Sequence, residues 1–467
     1  MRGLGDNQVA RIAQRRLVRA FAIAAPVIAG LLTAAGPVQA QSLPEVLKHA
    51  YRNQPALDVA RAEQRATDEL MPQALSGWRP TVIAQGNFAE KASDENTLQT
   101  ANSNSMTLKI RLSQPLFRGF RTVNATRQAD QLIAAGRQQM IIAEQTVLFD
   151  VIQAYMDVIR DREILRLRRN QVVLLKHELK GNRRRLELGA VTRTDVAQAS
   201  ARLSSAISNV RGGEADLGVS VSRFIRHVGR KPGVLSRPRL SPRLPKSLEK
   251  AIKLADQYNP EIIKAMHKEV AAMHFIGVKR GELLPKVELE AEYEYHRDMQ
   301  ANFGKYETAV VRGVVTVPIY QSGFVYSKIR EAKQLANRRR MLILTARRKI
   351  RGQVGRVWSR YRETEGKIQA IKQEIGASMV AVQGVRMEAL AGSRTTQEVL
   401  DAERRLMNAR INLEHVRRNR IVRAYEVIAS TGHLTAFDLR LSVARYDPHE
   451  YQDRVRERWF GANIKTR

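Results

Sequence analysis

"LELGAVTRTDVAQA", Leu186 to Ala199, interrupts what otherwise reads as one very long amphipathic helix. The helical periodicity stops at a glycine, passes through Ala-Val-Thr-Arg-Thr, and resumes at once. Further along, "EALAGSRTTQEVLDA" (Glu388 to Ala402) does almost the same. Glycine takes φ > 0 readily after a last helical turn, and Ser, Thr and Asp cap the helix that follows. Each stretch therefore reads as the tip of an antiparallel helical hairpin. Gly189 and Gly392 are the turn residues, and Thr194 with Asp195, or Thr395 with Thr396, are candidate caps of the return helix.

The return helices carry the pattern such a hairpin needs. Val196, Ala199, Leu203, Ala206, Val210, Gly213 and Leu217 alternate steps of three and four, as do Val399, Ala402, Leu406, Ala409, Leu413 and Val416. This is a heptad seam with large residues at one position and mostly small ones at the other, so the backbones can approach closely.

Working outward, the chain is a tandem duplication. "SLPEVLKHAYRNQPAL" (Ser42 to Leu57) matches "SLEKAIKLADQYNPEI" (Ser247 to Ile262), and "SQPLFRGF" (Ser113 to Phe120) matches "TVPIYQSGF" (Thr316 to Phe324). Gly229 falls on Gly432, where both long helical patterns end. The first repeat spans 41–228, a Pro/Arg-rich linker 229–246, the second repeat 247–435 and a tail 436–467. Each repeat predicts two short helices broken at a proline, two strands, a helix of about 70 residues spanning roughly 100 Å, and a return helix of about 35.

Residues 1–40 read as a secretory signal: Arg11, Arg15, Arg16 and Arg19, then an apolar run from Ala20 to Ala35, then "VQA" at 38–40. Gln41, not Cys, would follow the cleavage site, so a lipid anchor is not expected. No other apolar run is long enough for a transmembrane helix, which leaves a soluble periplasmic protein or a closed β-barrel.

The strands favour the barrel. In "KVELEAEYEY" (Lys286 to Tyr295) Val287, Leu289, Ala291, Tyr293 and Tyr295 share one face, and Glu288, Glu290, Glu292 and Glu294 the other. "SMTLKIRLS" (Ser105 to Ser113) sets Met106, Leu108, Ile110 and Leu112 against Lys109 and Arg111. "AVVRGVVTV" (Ala309 to Val317), with Arg312, and "TVIAQGNFA" (Thr81 to Ala89) alternate less cleanly. Four strands cannot close a barrel, but several chains contributing four each can. The polar stretches 90–104 and 296–307 would be exposed loops at one barrel end.

The chain has 467 residues, a net charge of +33 and no cysteine. Without cysteine there are no disulfides, thiolate metal sites or Cys nucleophiles. So basic a balance ordinarily suggests nucleic acid. Here the charge is spread along helices ("RRRLEL", "RRRMLILTARRK", "HVRRNRIVR") with no stacking platform, so no nucleic-acid partner is expected. The histidines are dispersed, His267 and His274 lie two helical turns apart, and no nucleotide loop or nucleophile set occurs. An enzyme, a cofactor and a bound metal are not expected.

Taken together, the duplication, the "NQP" and "YNP" breaks, the prolines at strand-to-helix junctions and the two "Gly-x-x-T-x-x-[DE]-V" turns resemble the TolC family of outer-membrane channel-tunnels. The tail "YDPHEYQDRVRERWFG" (Tyr446 to Gly461) resembles that of type I secretion members. The resemblance implies a mainly α fold with a small antiparallel β part. It implies a homotrimer whose twelve strands form one barrel in outer-membrane lipid, continuous with a twelve-helix periplasmic α-barrel. It further implies a passive duct for protein secretion or small-molecule efflux, opened by a periplasmic adaptor and an inner-membrane ABC or RND transporter. By motif position the periplasmic gate would comprise Thr194, Asp195, Arg394, Glu398 and Asp401. Ala389 stands where the family has its gate tyrosine. Glu288, Glu290, Glu292, Glu294, Lys109, Arg111 and Arg312 would face the lumen. Two readings compete. Asp195, Thr194 and Glu398 could be helix-start residues only, and the chain could be a periplasmic or soluble coiled-coil scaffold or adaptor without channel activity.

Overall fold

The computed structural model describes residues 41–93, 101–238, 244–298 and 304–464. The expected signal sequence lies outside the described residues. The first repeat comprises α1 (Leu43–Asn53), α2 (Pro55–Asp68), α3 (Leu70–Leu75), β1 (Thr81–Ser93), β2 (Ala101–Arg118), α4 (Arg121–Glu187) and α5 (Arg193–Val228). The second comprises α6 (Leu248–Tyr258), α7 (Pro260–Arg280), β3 (Lys286–Asp298), β4 (Lys305–Thr316), α8 (Phe324–Leu390) and α9 (Thr396–Ser430). A last helix, α10 (Pro448–Arg456), ends the described chain.

The duplication is visible in the lengths: α4 and α8 each have 67 residues, and α5 and α9 have 36 and 35. Pro55 and Pro260 each open a helix where their missing N–H costs nothing, with Gln54 and Asn259 extended before them. One local difference separates the repeats. Where the second repeat keeps one helix, α7, the first is interrupted at Glu69, and α3 restarts with Pro72 in its first turn. A proline in mid-helix would remove one hydrogen bond and clash with the preceding turn, so the break falls before it.

The four strands form one antiparallel sheet in the order β1-β2-β3-β4. They run further into the polar stretches than expected, with β1 reaching Ser93, β2 starting at Ala101, β3 reaching Asp298 and β4 starting at Lys305. Residues 94–100 and 299–303 lie outside the described residues. Pro115 does not end its strand. β2 continues to Arg118 through a register shift between Pro115 and Phe117, as suits a residue that cannot donate to the ladder.

The main core is a belt about midway along the helices. Leu43, Val46 and Leu47 of α1, Leu148 to Val158 of α4, Phe224 of α5, Val422 and Ile428 of α9, Leu434 just after α9 and Leu441 of the tail meet there. The linker is pinned onto it. Gln41 pairs with Leu235, the Tyr155 hydroxyl reaches the carbonyls of Gln41 and Ser236, and Arg162 donates to those of Pro232 and Gly233. Along α5 the small seam residues Ala199, Ala206 and Gly213 are the buried ones, whereas in α9 the large Val399, Leu413 and Val416 are buried together with Ala402 and Ala409. A Cβ on Gly213 would stand 2.9 Å from the Arg168 guanidinium, which packs into the space this seam position leaves.

Candidate functional site

The two hairpin tips are built by the same local chemistry. Gly189 and Gly392 sit at φ 74° and 79°, the left-handed conformation that lets each long helix stop. The return helix is then capped by a reciprocal box. Thr192 Oγ1 accepts from Asp195 N–H while the Asp195 carboxylate accepts from Thr192 N–H at 2.9 Å. Thr395 and Glu398 do the same on the second tip. Thr192, not Thr194, is therefore the first cap. Thr194 lies one residue inside the helix and is exposed. Thr395 is the second cap, as expected, while Thr396 is the first helical residue.

These boxes set the charge state of the tips. Asp195 is held below the usual carboxylate range, first by the Thr192 N–H and hydroxyl and also by the Thr396 hydroxyl of the other tip. Glu398 is lowered first by the Thr395 N–H and then by Arg394. Arg394 bridges Glu388 (2.9 Å) and Glu398 (2.8 Å), both on its own hairpin, and within this chain it does not bond Asp195.

An ion pair between the hairpins near the tips comes from a residue that no motif marks. Arg202 on α5 donates to Asp401 on α9 at 3.1 Å and lowers its pKa. Behind it lies a buried polar layer. Arg386 on α8 bonds Glu403 on α9, and Glu178 on α4 faces the same charge. Burial first, then the Glu403 charge, raises Glu178. Oε2 of both glutamates accepts no hydrogen bond among the described residues.

At the other end of the molecule one face of the sheet gathers the charged side chains, with Ile83, Val310 and Val314 interspersed among them. Register places Lys109 opposite Glu294, Arg111 opposite Glu292 and Arg312 opposite Glu290. Lys109 bonds Glu292 (2.5 Å) and Glu294 (3.4 Å), Arg111 bonds Glu292 (2.9 Å), and Arg312 bonds Glu290 (2.7 Å). Glu288 lies in the same row, opposite Val314 and without an ion pair among the described residues. The opposite face carries Val82, Leu108, Ile110, Leu289, Tyr293, Val311 and Val315, all exposed in the single chain. β1 and β4 are edges whose outer sides pair with no other strand among the described residues.

No helix among the described residues is long and apolar enough to cross a membrane. They also hold no cluster of His, Asp or Glu suited to a metal.

Comparison with known proteins matches this architecture in both repeats. The model of the outer membrane efflux protein family matches residues 46–220 and 251–433. The outer membrane efflux protein BepC of Brucella suis is 30% identical over 439 residues, which is 94% of this chain and 95% of the relative. The outer membrane protein TolC of Vibrio cholerae is 24% identical, covering 88% of this chain and 95% of its own. Among solved structures, the Campylobacter jejuni CmeC outer membrane channel superposes with a TM-score of 0.75 at 15% identity, over 89% of both chains. The chain thus belongs to the outer membrane efflux protein family, as a non-enzymatic protein of the Gram-negative outer membrane that extends into the periplasm.

Proposed function

We propose that three copies of the chain close into a passive exit duct, with the sheets as a lipid-embedded barrel and the paired hairpins as a periplasmic tunnel shut at its tips. The observation that carries this reading is the sheet. It has two unpaired edges, a face of ion-paired side chains and an exposed apolar face. Edges of this kind are satisfied by closure, and backbone in a bilayer must be fully paired. The ion-paired row of Glu290, Glu292 and Glu294 then lines the lumen, and Val311 and its neighbours meet lipid.

At the periplasmic end, Arg202–Asp401 ties the two hairpins of one subunit together. Arg394, Glu398 and Asp195 stiffen the turns that must separate. Opening falls to a periplasmic adaptor engaging the tips, and energy to an inner-membrane ABC or RND transporter. The cargo is a polypeptide or a small molecule passing through without chemistry.

Single-channel conductance of the detergent-purified protein in a planar bilayer tests the reading. Wild type should show a small conductance, and Arg202→Ala and Arg394→Ala should each raise it. No conductance from any of the three, with the proteins folded, would return the chain to a structural scaffold. Conductance that Arg202→Ala leaves unchanged would keep the duct and discard this gate.

A further inference from the structure

The C-terminal segment is mostly exposed yet held by a set of specific side-chain bonds. α10 lies along α2 and α3, tied by the Tyr451 hydroxyl to Glu69 (2.6 Å) and by Arg137 to Gln452. Beyond it the chain curls. Arg458 Nε donates to the Phe460 carbonyl at 3.1 Å and Nη1 to that of Asn463 at 2.8 Å, with Gly461 at φ 90° between them. Arg79, just before β1, holds the curl in place. It donates to the carbonyls of Arg458 (2.8 Å) and Arg456 (3.4 Å), and its guanidinium lies 5.0 Å from the centre of the Trp459 ring. What this framework presents outward is apolar: Trp459, Phe460 and Ile464 are 57%, 86% and 61% exposed. Chain ends so exposed are ordinarily polar or frayed.

Position and chemistry indicate what covers these side chains. Arg79 anchors the curl at the root of β1, where Val82 begins the apolar face of the sheet. The tail also stays on the side of the wall that carries the belt. Arg61 of α2 lies over the rings of both Tyr51 in α1 and Tyr446 just ahead of α10, at 5.2 and 5.6 Å. Arg454, Arg456 and Arg458 are balanced by Glu450, Asp453 and Glu457, so bulk charge is not the driving term. An indole, a phenyl ring and an isoleucine beside guanidinium groups suit a headgroup boundary, where rings enter the acyl edge and polar tips stay wet.

We propose that this C-terminal hook is a membrane-interface anchor, with Trp459, Phe460 and Ile464 inserted into the phospholipid of the periplasmic leaflet beside the root of β1. This rests on the reading of the sheet as a lipid-embedded barrel. The hook would extend the hydrophobic footprint of each subunit past its four strands and fix the height of the barrel in the bilayer.

Lipid-borne quenching tests it. The chain contains three tryptophans, so Trp78→Phe with Trp358→Phe leaves Trp459 as the sole reporter. The full-length protein is reconstituted into phosphatidylethanolamine/phosphatidylglycerol vesicles whose acyl chains carry bromine near the headgroup or near the tail. Trp459 should lose about half its emission with shallow bromines and much less with deep ones, as for a group seated in the outer part of the leaflet. The difference spectrum between wild type and Trp459→Phe gives the same answer should the double variant fold poorly. A reporter at the barrel face, Val311→Trp in the tryptophan-free background, separates the two claims. Quenching at position 311 without quenching of Trp459 overturns the anchor, and shows the hook covered by a neighbouring subunit or left in water. Quenching at neither site overturns the anchor and the embedded barrel together.

Discussion

At the residue scale, Thr192 and Thr395 each tie a turn to the helix that leaves it, through a box closed by Asp195 or Glu398. Removing the hydroxyl with Thr192→Ala should destabilise the first return helix by about 1 kcal/mol, seen as faster amide exchange confined to the tip. Gly189→Val places a β-branched residue in the left-handed region and should cost roughly 1–2 kcal/mol, although nothing surrounds the missing Cβ. Acid acts through Asp401. Its folded pKa lies below the ordinary carboxylate value because of Arg202, so its contribution is complete above that value and is lost as pH falls through the depressed one. Conductance should therefore stay flat from about pH 7 to about pH 5 and rise only below about pH 4. A rise already at pH 6 would point to another group. Of these residues, Asp195, Arg394, Glu398 and Asp401 are marked in the sequence because each belongs to or follows a turn motif; that they form a gate is the proposal made above. Thr192 was legible in principle, since Thr-x-x-Asp is the capping pattern, but Thr194 offered a rival hydroxyl two residues on. Arg202 carried no signal. It meets Asp401 only because two hairpins far apart in sequence lie side by side.

At the element scale, one very tight junction is where β2 turns into α4 beside the turn from α7 into β3. Gly119 and Gly281 cross backbone to backbone, and a Cβ on Gly281 would stand 2.3 Å from the Gly119 carbonyl oxygen. Gly281→Ala should cost roughly 1–3 kcal/mol, as overpacking does, and lower the melting temperature without altering the hairpin tips. The helices, their lengths and the face alternation of β3 could be read from periodicity alone. The run of β2 past Pro115 could not, because a proline reads as an ending unless the strand itself can bulge, as β2 does at Leu116 between the pairs Pro115–Glu288 and Phe117–Val287. The polar stretches beyond the strands misled for a related reason. Ladder hydrogen bonds are indifferent to side-chain polarity, so pairing extended to Ser93 and Asp298 through residues that composition marks as loop.

At the scale of the whole molecule, the two sheet faces should respond oppositely to mutation. Val311→Arg puts a guanidinium on the lipid side and should cost about 2–4 kcal/mol near mid-bilayer, reducing the yield of assembled protein. Glu290→Gln on the other face should assemble normally and shift ion selectivity away from cations. Equal loss from both variants would contradict a barrel with a wet interior. The belt described above also has a kinetic meaning. It joins Leu43 to Leu441, so its contacts span almost the entire chain. Export delivers the polypeptide from its N-terminus, and long-range closure is slow and leaves apolar surface waiting. Leu148, Phe224 and their neighbours are therefore only partly covered until Leu434 and Leu441 have joined them. A chain truncated before residue 434 should leave the belt incomplete and remain open to protease, which limited proteolysis of the truncated and full-length proteins would show.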